Sequence, residues 1–516
     1  MDHLFPLEIC VDPPREDLQE TEEGIDISNA TEKVHKQHQP SGYRGSLTSF
    51  AIVLCQFVPM IPYGAGITGA AHIAEKLGVS PEEAVWLVAS YPLTQGTFVL
   101  IGGRVGAIYG HKRTVVFAGI FWIIFQLVAG FMRGVISLSV MRALSGIGGA
   151  FMVPNCIALL TITFPPGKMR NISVGLFGAM APVGAAGGSI FPGFFGQLAP
   201  WWWLFFFLAI LGTFVVALFY FVVPAEEHPM DPNGKFDYLG AYLGVGGLVL
   251  FNFAWTQASV KGWAEPYVYT LLIVSILHFV LFAVWEHKFA TGPVLPLTIW
   301  NSPSFAPMIV AAFLTFMGVG MVIWYITAWN YYIRKFSIFL CAAAYVPLAV
   351  CGACAAILSA KAVRYLAAEY IMTIGSMASC VSLILIATMP EQQAYWAQMF
   401  PAVFIIAFGP DFLFTSAQII ASATVKREQQ GIAGSLIGTV LSYGLATGLG
   451  FAGTVEYYTN DHGRNRVQGY RNGLYLGIGM TAVATMIALA FVRIPKDRRE
   501  GWDEPETDDT AMAESK

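Results

Sequence analysis

The sequence predicts an all-α polytopic membrane protein with fourteen transmembrane helices, and three observations carry that prediction. Only 12% of the 516 residues are charged against 56% hydrophobic, with a mean hydropathy of +0.59, whereas a soluble chain carries about 25% charged residues. Apolar segments recur, each near the roughly 20 residues that a bilayer demands. Basic residues gather in short connections between alternate segments, as the cytoplasmic bias of Lys and Arg requires. The net charge of −4 sums two sides of a membrane and so says nothing of partners.

In chain order, residues 1–44 are acidic and then mixed (EDLQETEEGID, EKVHKQHQP), a composition with little to bury that reads as a disordered cytoplasmic tail. It contains no cleavable signal, so the first span serves as the targeting signal. Asn29-Ala30-Thr31 is a glycosylation sequon whose occupancy would overturn that topology. Spans are expected at 46–66, 84–104, 114–132, 136–160, 172–195, 201–223, 238–257, 267–285, 305–328, 338–360, 367–389, 396–423, 431–455 and 473–493. The even count puts both termini on one side. The basic connections at Lys112, Lys168–Arg170, Lys361–Arg364 and Lys426–Arg427 then face the cytoplasm. Two features resist: the 224–237 connection is acidic, and Arg334–Lys335 falls outside.

A short internal repeat supports the count. RNISVGLFG (170–178) precedes the fifth helix and KREQQGIAG (426–434) the thirteenth. Each has a basic residue followed by Gly-x-x-Gly, at an offset of eight helices. Two six-helix halves with an inserted pair fit that offset, and repeated halves around a central site are a common transporter build. The expected organisation is therefore a tail at 1–44, a first half at 45–223, a linker with helices 7 and 8 at 224–304, a second half at 305–493 and a cytoplasmic tail at 494–516.

Four stretches carry candidate chemistry. GGRVGAIYGHKRTV (102–115) is a basic connection with glycine turns, and its gating candidates are Gly103, Arg104, Gly110, Lys112 and Arg113. Helix 4 places Arg142 inside an apolar span, where a charge must face water or a partner unless its side chain snorkels to the surface. Helix 5, GLFGAMAPVGAAGGSIFPG (175–193), combines Gly178, Pro182, Gly187 and Gly188 into a bendable, closely packing helix. Helix 12 places Asp411 near mid-membrane beside Gly409-Pro410, read here as the only deep carboxylate. A lone acid there is a natural proton carrier, with structural pairing as the alternative. Under the repeat, Arg142 and Asp411 face one cavity from opposite halves. Gln56, Trp86, Ser90, Tyr91, Trp324, Tyr325 and Asn330 are candidates for lining a mostly apolar cavity, or else packing. His278 on helix 8 is expected to be structural.

No Walker-type loop, zinc spacing or catalytic triad is present. The glycines of 102–110 join two spans with no preceding strand, so a dinucleotide reading fails on context. Seven cysteines, six of them in apolar runs, form no disulfide framework, and Cys351-Gly-Ala-Cys354 reads as packing. No cofactor, enzymatic activity, metal or nucleic-acid partner is expected. The partners are a small-molecule substrate, protons and the bilayer, and the chain is expected to act as a monomer.

These motifs resemble the major facilitator superfamily. The 103–113 stretch is similar to its G-x-L-A-D-R-x-G-R-K loop, matching at Gly103, Gly110, Lys112 and Arg113, with Ala107 where the family has aspartate. Helix 4 resembles the family's R-x-x-x-G-x-G, tied in its exporters to proton transfer, and helix 5 resembles the antiporter pattern G-x-x-x-G-P-x-x-G-G. With 86–113, 244–268 and 431–456, roughly residues 45–495 resemble the fungal fourteen-spanner drug:proton antiporters, in the group of aminotriazole-resistance proteins and boron exporters. The resemblance implies the major facilitator fold and proton-driven efflux of drugs, toxins, secondary metabolites or borate by alternating access. The membrane implied is the plasma or vacuolar one. A proton-independent facilitator or importer of the same fold, or a non-transporting receptor or scaffold, is the alternative. The missing aspartate implies that the charge latch it helps to form at the cytoplasmic gate is weaker here or made otherwise.

Overall fold

Helices account for nearly all of the chain between Gly42 and Phe491 in the computed structural model. It describes residues 42–493 except 165–167, 225, 227, 228, 233, 291, 303, 364, 426–429 and 462. The proposed tails (residues 1–41 and 494–516), the sequon, Arg364 and Lys426–Arg427 lie outside the described residues.

Fourteen described helices are long and apolar enough to cross a membrane. They are α1 (Gly42–Leu77), α2 (Ala84–Tyr109), α3 (His111–Ala129), α4 (Val135–Thr163), α5 (Ile172–Leu198), α6 (Trp203–Val222) and α7 (Tyr238–Lys261). They continue as α8 (Pro266–Lys288), α9 (Phe305–Ile333), α10 (Ile338–Ala362), α11 (Ala368–Ala387), α12 (Met399–Thr424), α13 (Ile432–Thr459) and α14 (Arg466–Phe491). Each lies on an expected segment, and no strand occurs among the described residues. Successive spans reverse direction. The turns at 77–84, 129–135, 261–266, 333–338, 387–399 and 459–466 therefore share one face, here the upper. Those at 109–111, 222–238 and 362–368 share the lower face.

Helix α1 runs to Leu77 rather than 66, although Pro59 and Pro62 lie inside it. A proline removes one backbone donor, and side chains of other spans bond into this stretch. The Tyr91 hydroxyl donates to Pro59 O (2.7 Å) and the Arg142 guanidinium to Pro62 O (3.0 Å). Gly78, at φ +70°, ends the helix as a left-handed cap that side chains resist. Three other spans are interrupted. Helix α5 breaks between Gly188 and Phe191, α10 between Ala343 and Val346, and α12 between Ile406 and Phe408. Polar groups from neighbours meet these breaks, as membrane interiors require: Thr68 Oγ1 donates to Ser189 O (2.8 Å), and Tyr395 to Ala344 O (2.8 Å).

The expected basic loop at 102–115 is corrected by the structure. It is helix on both sides of Gly110, which alone is non-helical at φ +97°. Gly102 makes this possible, because a Cβ there would press on the Ala150–Phe151 backbone of α4.

Helices α1–α6 pack mainly on one another, as do α9–α14, and the two sets meet chiefly where α2 runs along α13 and α5 along α10. Helix α8 touches α7 and leaves most of its surface outward, as a lipid-facing span would. Helix α7 docks along α13 and α2, with Asn252 Nδ2 donating to Thr447 Oγ1 (3.1 Å). Trp255 stacks on Phe451 at 3.8 Å.

Candidate functional site

The lower-face turn is built on Asn155 of α4, a buried residue that sequence reasoning did not single out. Its Nδ2 donates to Gly102 O (2.9 Å) and Phe151 O (2.6 Å), while Oδ1 lies 2.6 Å from His111 Nδ1. With Nδ2 engaged by two carbonyls, Oδ1 accepts and His111 Nδ1 donates. Gly106 lies against this pair, where a Cβ would overlap Asn155 Oδ1. The cue in the sequence was a lone asparagine after Pro154 in an apolar span.

The acidic 222–238 connector, which fitted the charge bias poorly, folds onto this turn. Asp231 Oδ2 pairs with Arg104 Nη1 at 2.8 Å, and Asp231 N donates to Ala107 O at 2.9 Å. Glu226 caps α3, accepting from His111 N at 2.8 Å, at a helix N-terminus that favours an anion. Lys112 Nζ reaches Val223 O (2.5 Å), while Arg113 is exposed and Gly103 faces Ser435 of α13. Carboxylates thus surround the turn whose own acidic position is Ala107. Arg334 is likewise no free surface charge. It is buried against Asn330 Oδ1 (3.4 Å) and the Met389 and Met399 sulfurs.

Helix α5 approaches α1 through Gly184 and Gly188. A Cβ at Gly184 would press on Phe57 O, and one at Gly188 would collide with Ile61 O. Gly178 and Gly187 face open space, and Pro182 meets Gly352 of α10.

Arg142 is 3% exposed. Its bond to Pro62 O turns it into the α1–α6 set, against the snorkelling alternative. Asp411 sits just past the break in α12, and its Oδ2 is buried without a hydrogen-bond partner. Gly409, Phe412 and Leu413 of α12 face α11. Thr415, one turn beyond Asp411, meets Ser359 of α10 (3.0 Å). No hydrogen bond or ion pair among the described residues joins Arg142 to Asp411.

The cavity candidates divide. Tyr91 is fully buried packing, bonded to Pro59 O and accepting from Trp122 Nε1 (3.2 Å). Trp86 turns to α7, donating to Gln257 Oε1 (3.0 Å). Gln56 and Ser90 are buried with Gln56 Oε1 and Ser90 Oγ unpartnered, and Asn330 is wholly buried beside Arg334. Trp324 lines a cleft together with Glu456, whereas Tyr325 is fully buried and its hydroxyl donates to Glu456 (3.1 Å). Asp411 is therefore not the one enclosed carboxylate. Its nearness to the end of α13 hid Glu456. His278 packs on Gly246 of α7 and bonds its own helix at Val274 O (2.8 Å).

Residues 52–450 match the family model of the Major Facilitator Superfamily. The chain belongs to that superfamily. It is similar to the low affinity ammonium transporter of Saccharomyces cerevisiae, at 36% identity over 86% of this chain and 88% of the relative. It is similar to the aminotriazole resistance protein of the same yeast, at 30% over 88% and 85%. A third relative, the efflux pump terJ of Aspergillus terreus, is 32% identical over 88% and 89%. This superfamily member is an integral membrane transporter of small molecules, and its fungal relatives include resistance and efflux proteins.

Proposed function

We propose that this transporter is a proton-coupled exporter of small organic compounds, working as a monomer by alternating access in the plasma membrane with both termini cytoplasmic. The observation that carries the reading is Asp411, an acid near mid-span whose Oδ2 is buried, unpartnered and beside a helix break. A carboxylate there is costly unless it serves transport. It binds a proton from one side and releases it to the other as the bundle rearranges. Relatives named for resistance and efflux support the outward direction. In this reading the 45–223 and 305–493 halves rock about the α2–α13 and α5–α10 contacts. The turn at Gly110 and its connector carboxylates act as the lower gate.

The test is flux in reconstituted vesicles under an imposed proton gradient, with a panel of drugs and boric acid. The expected result is uphill movement that lasts only as long as the gradient. Asp411→Asn is expected to abolish it, while the protein remains folded and inserted. Undiminished uphill transport in that variant would overturn the assignment. The ammonium transporter relative favours one second reading, a facilitator or importer, in which substrate equilibrates but never concentrates.

A further inference from the structure

The upper face of the second helix set gathers two arginines away from any carboxylate. Arg334 follows the end of α9 and is 8% exposed. Its Nη1 meets Asn330 Oδ1 (3.4 Å) and Met399 Sδ (3.5 Å), and its Nη2 meets Met389 Sδ (3.1 Å). Arg471 of α14 reaches the same methionine, donating from Nη2 to Met389 O (3.1 Å), with its guanidinium 6.0 Å from the Trp329 ring. Three buried donors in this cluster, Arg334 Nε, Asn330 Nδ2 and Arg471 Nε, have no hydrogen-bond partner. Neither guanidinium has an ion pair among the described residues. Glu391, on the same turn as Met389, meets Trp329 Nε1 through its backbone oxygen (3.1 Å) and is exposed. We propose that Arg334, Asn330 and Arg471 bind a small monovalent anion of the halide class.

Charge decides the sign of the ligand. A buried carboxylate can take up a proton, whereas a guanidinium keeps its charge in proteins. Burial lowers the Arg334 pKa by desolvation without discharging it. Thioether sulfurs are weak acceptors, so the contacts to Met389 and Met399 return little of the hydration that Arg334 has lost. Helix ends do not neutralise the pair either. Helices α9 and α11 end at this face with carbonyls, while α12 and α14 begin there with N–H groups. Their partial charges, roughly half an elementary unit each, oppose one another. An anion would accept from Arg334 Nε and Asn330 Nδ2 and offset one of the two charges. The two sulfurs and the Trp329 ring are apolar and polarizable, which suits a halide and penalises a doubly charged, strongly hydrated sulfate. Arg334, which ran against the charge bias of the spans, thereby acquires a local reason. The site is independent of Asp411 and of the direction of transport.

The test is the NMR linewidth of chloride with the purified full chain in non-ionic detergent, measured against empty micelles. Excess broadening is expected, removed by bromide and retained in sulfate of equal ionic strength. Arg334→Gln and Arg471→Gln should each cut the excess about fivefold or more. Lys335→Gln removes the same charge from an exposed neighbour and should leave the broadening unchanged. Asn330→Asp supplies a fixed carboxylate beside Arg334 Nη1 and should abolish it in folded protein. No excess over empty micelles, an equal loss in Lys335→Gln, or displacement by sulfate as readily as by bromide would each overturn the proposal. Displacement by phosphatidylglycerol added to the micelles would assign the arginines to a lipid headgroup and overturn it as well. If Arg334→Gln does not fold, Asn330→Asp decides, since retained broadening there overturns the site too. Asp411→Asn should broaden chloride normally, so this site and the proton-coupling reading fail independently.

Discussion

Gly106 and Gly178 are both small residues of glycine-rich motifs, yet their surroundings differ. A Cβ at Gly106 would overlap the Asn155 side chain that holds the α2–α3 turn, whereas Gly178 has open space. Overpacking a tight site costs about 1–3 kcal/mol, while alanine is favoured over glycine in a helix by about 1 kcal/mol. Gly106→Ala is therefore expected to lower the thermal midpoint in detergent, and Gly178→Ala to leave it unchanged or raise it. Equal effects would mean that the Asn155 contact is not what sets the turn. The contrast was hidden in the sequence for a physical reason. A span apolar on every side has no amphipathic stripe, so its inward face cannot be read. The same blindness offered Tyr91 as a cavity residue when its hydroxyl braces α1, and singled out Gly178 and Gly187 beside Gly188 while passing over Gly184, which with Gly188 makes the close approach.

Among elements, the acidic connector contributes most that the hydropathy pattern hid. The spans were legible because bilayer thickness fixes their length, and the basic turn because its lysine and arginines stand out between apolar runs. The connector was not legible, since which carboxylate meets which base depends on how α6 and α7 bring it back across the face. Arg104 and Asp231 are partly exposed, with side chains at 30% and 41%, and such a pair contributes only about 0.2–1 kcal/mol. Its consequence is therefore expected in gating rather than stability. Arg104→Glu should cut flux with little change in thermal midpoint, and adding Asp231→Arg should restore most of it. Failure of the reversed pair to rescue flux would show that proximity, not the charge pair, is all the structure records there. Helix α7 makes the same point by packing. Asn252, Trp255 and Gln257 fasten it to α13 and α2, so a chain lacking α7 and α8 is expected to lose folded protein, measured as monodisperse yield in detergent.

For the whole molecule, the upper face is closed by contacts between the two helix sets. The Tyr331 hydroxyl of α9 donates to the Glu75 carboxylate of α1, with His72 Nδ1 3.4 Å from the same oxygen. Nearby, Phe194 of α5 meets Phe339 of α10 edge to face at 5.9 Å. Few polar bonds hold this closure, and a hydrogen bond to a charged group is worth about 1.5–3 kcal/mol, within reach of a substrate or proton that favours the open form. A transporter that releases cargo here must part Glu75 from Tyr331 in every cycle. Replacing both by cysteine, with the exposed Cys354 of α10 changed to serine, provides a reversible lock. A short bifunctional thiol reagent containing a cleavable disulfide is expected to stop flux, and reductant to restore it. Either single cysteine should transport with or without the reagent. Full flux in the cross-linked protein would mean that the seam between α1 and α9 stays shut during transport. Cargo would then leave by another route, and the rocking of one helix set against the other would have to be abandoned.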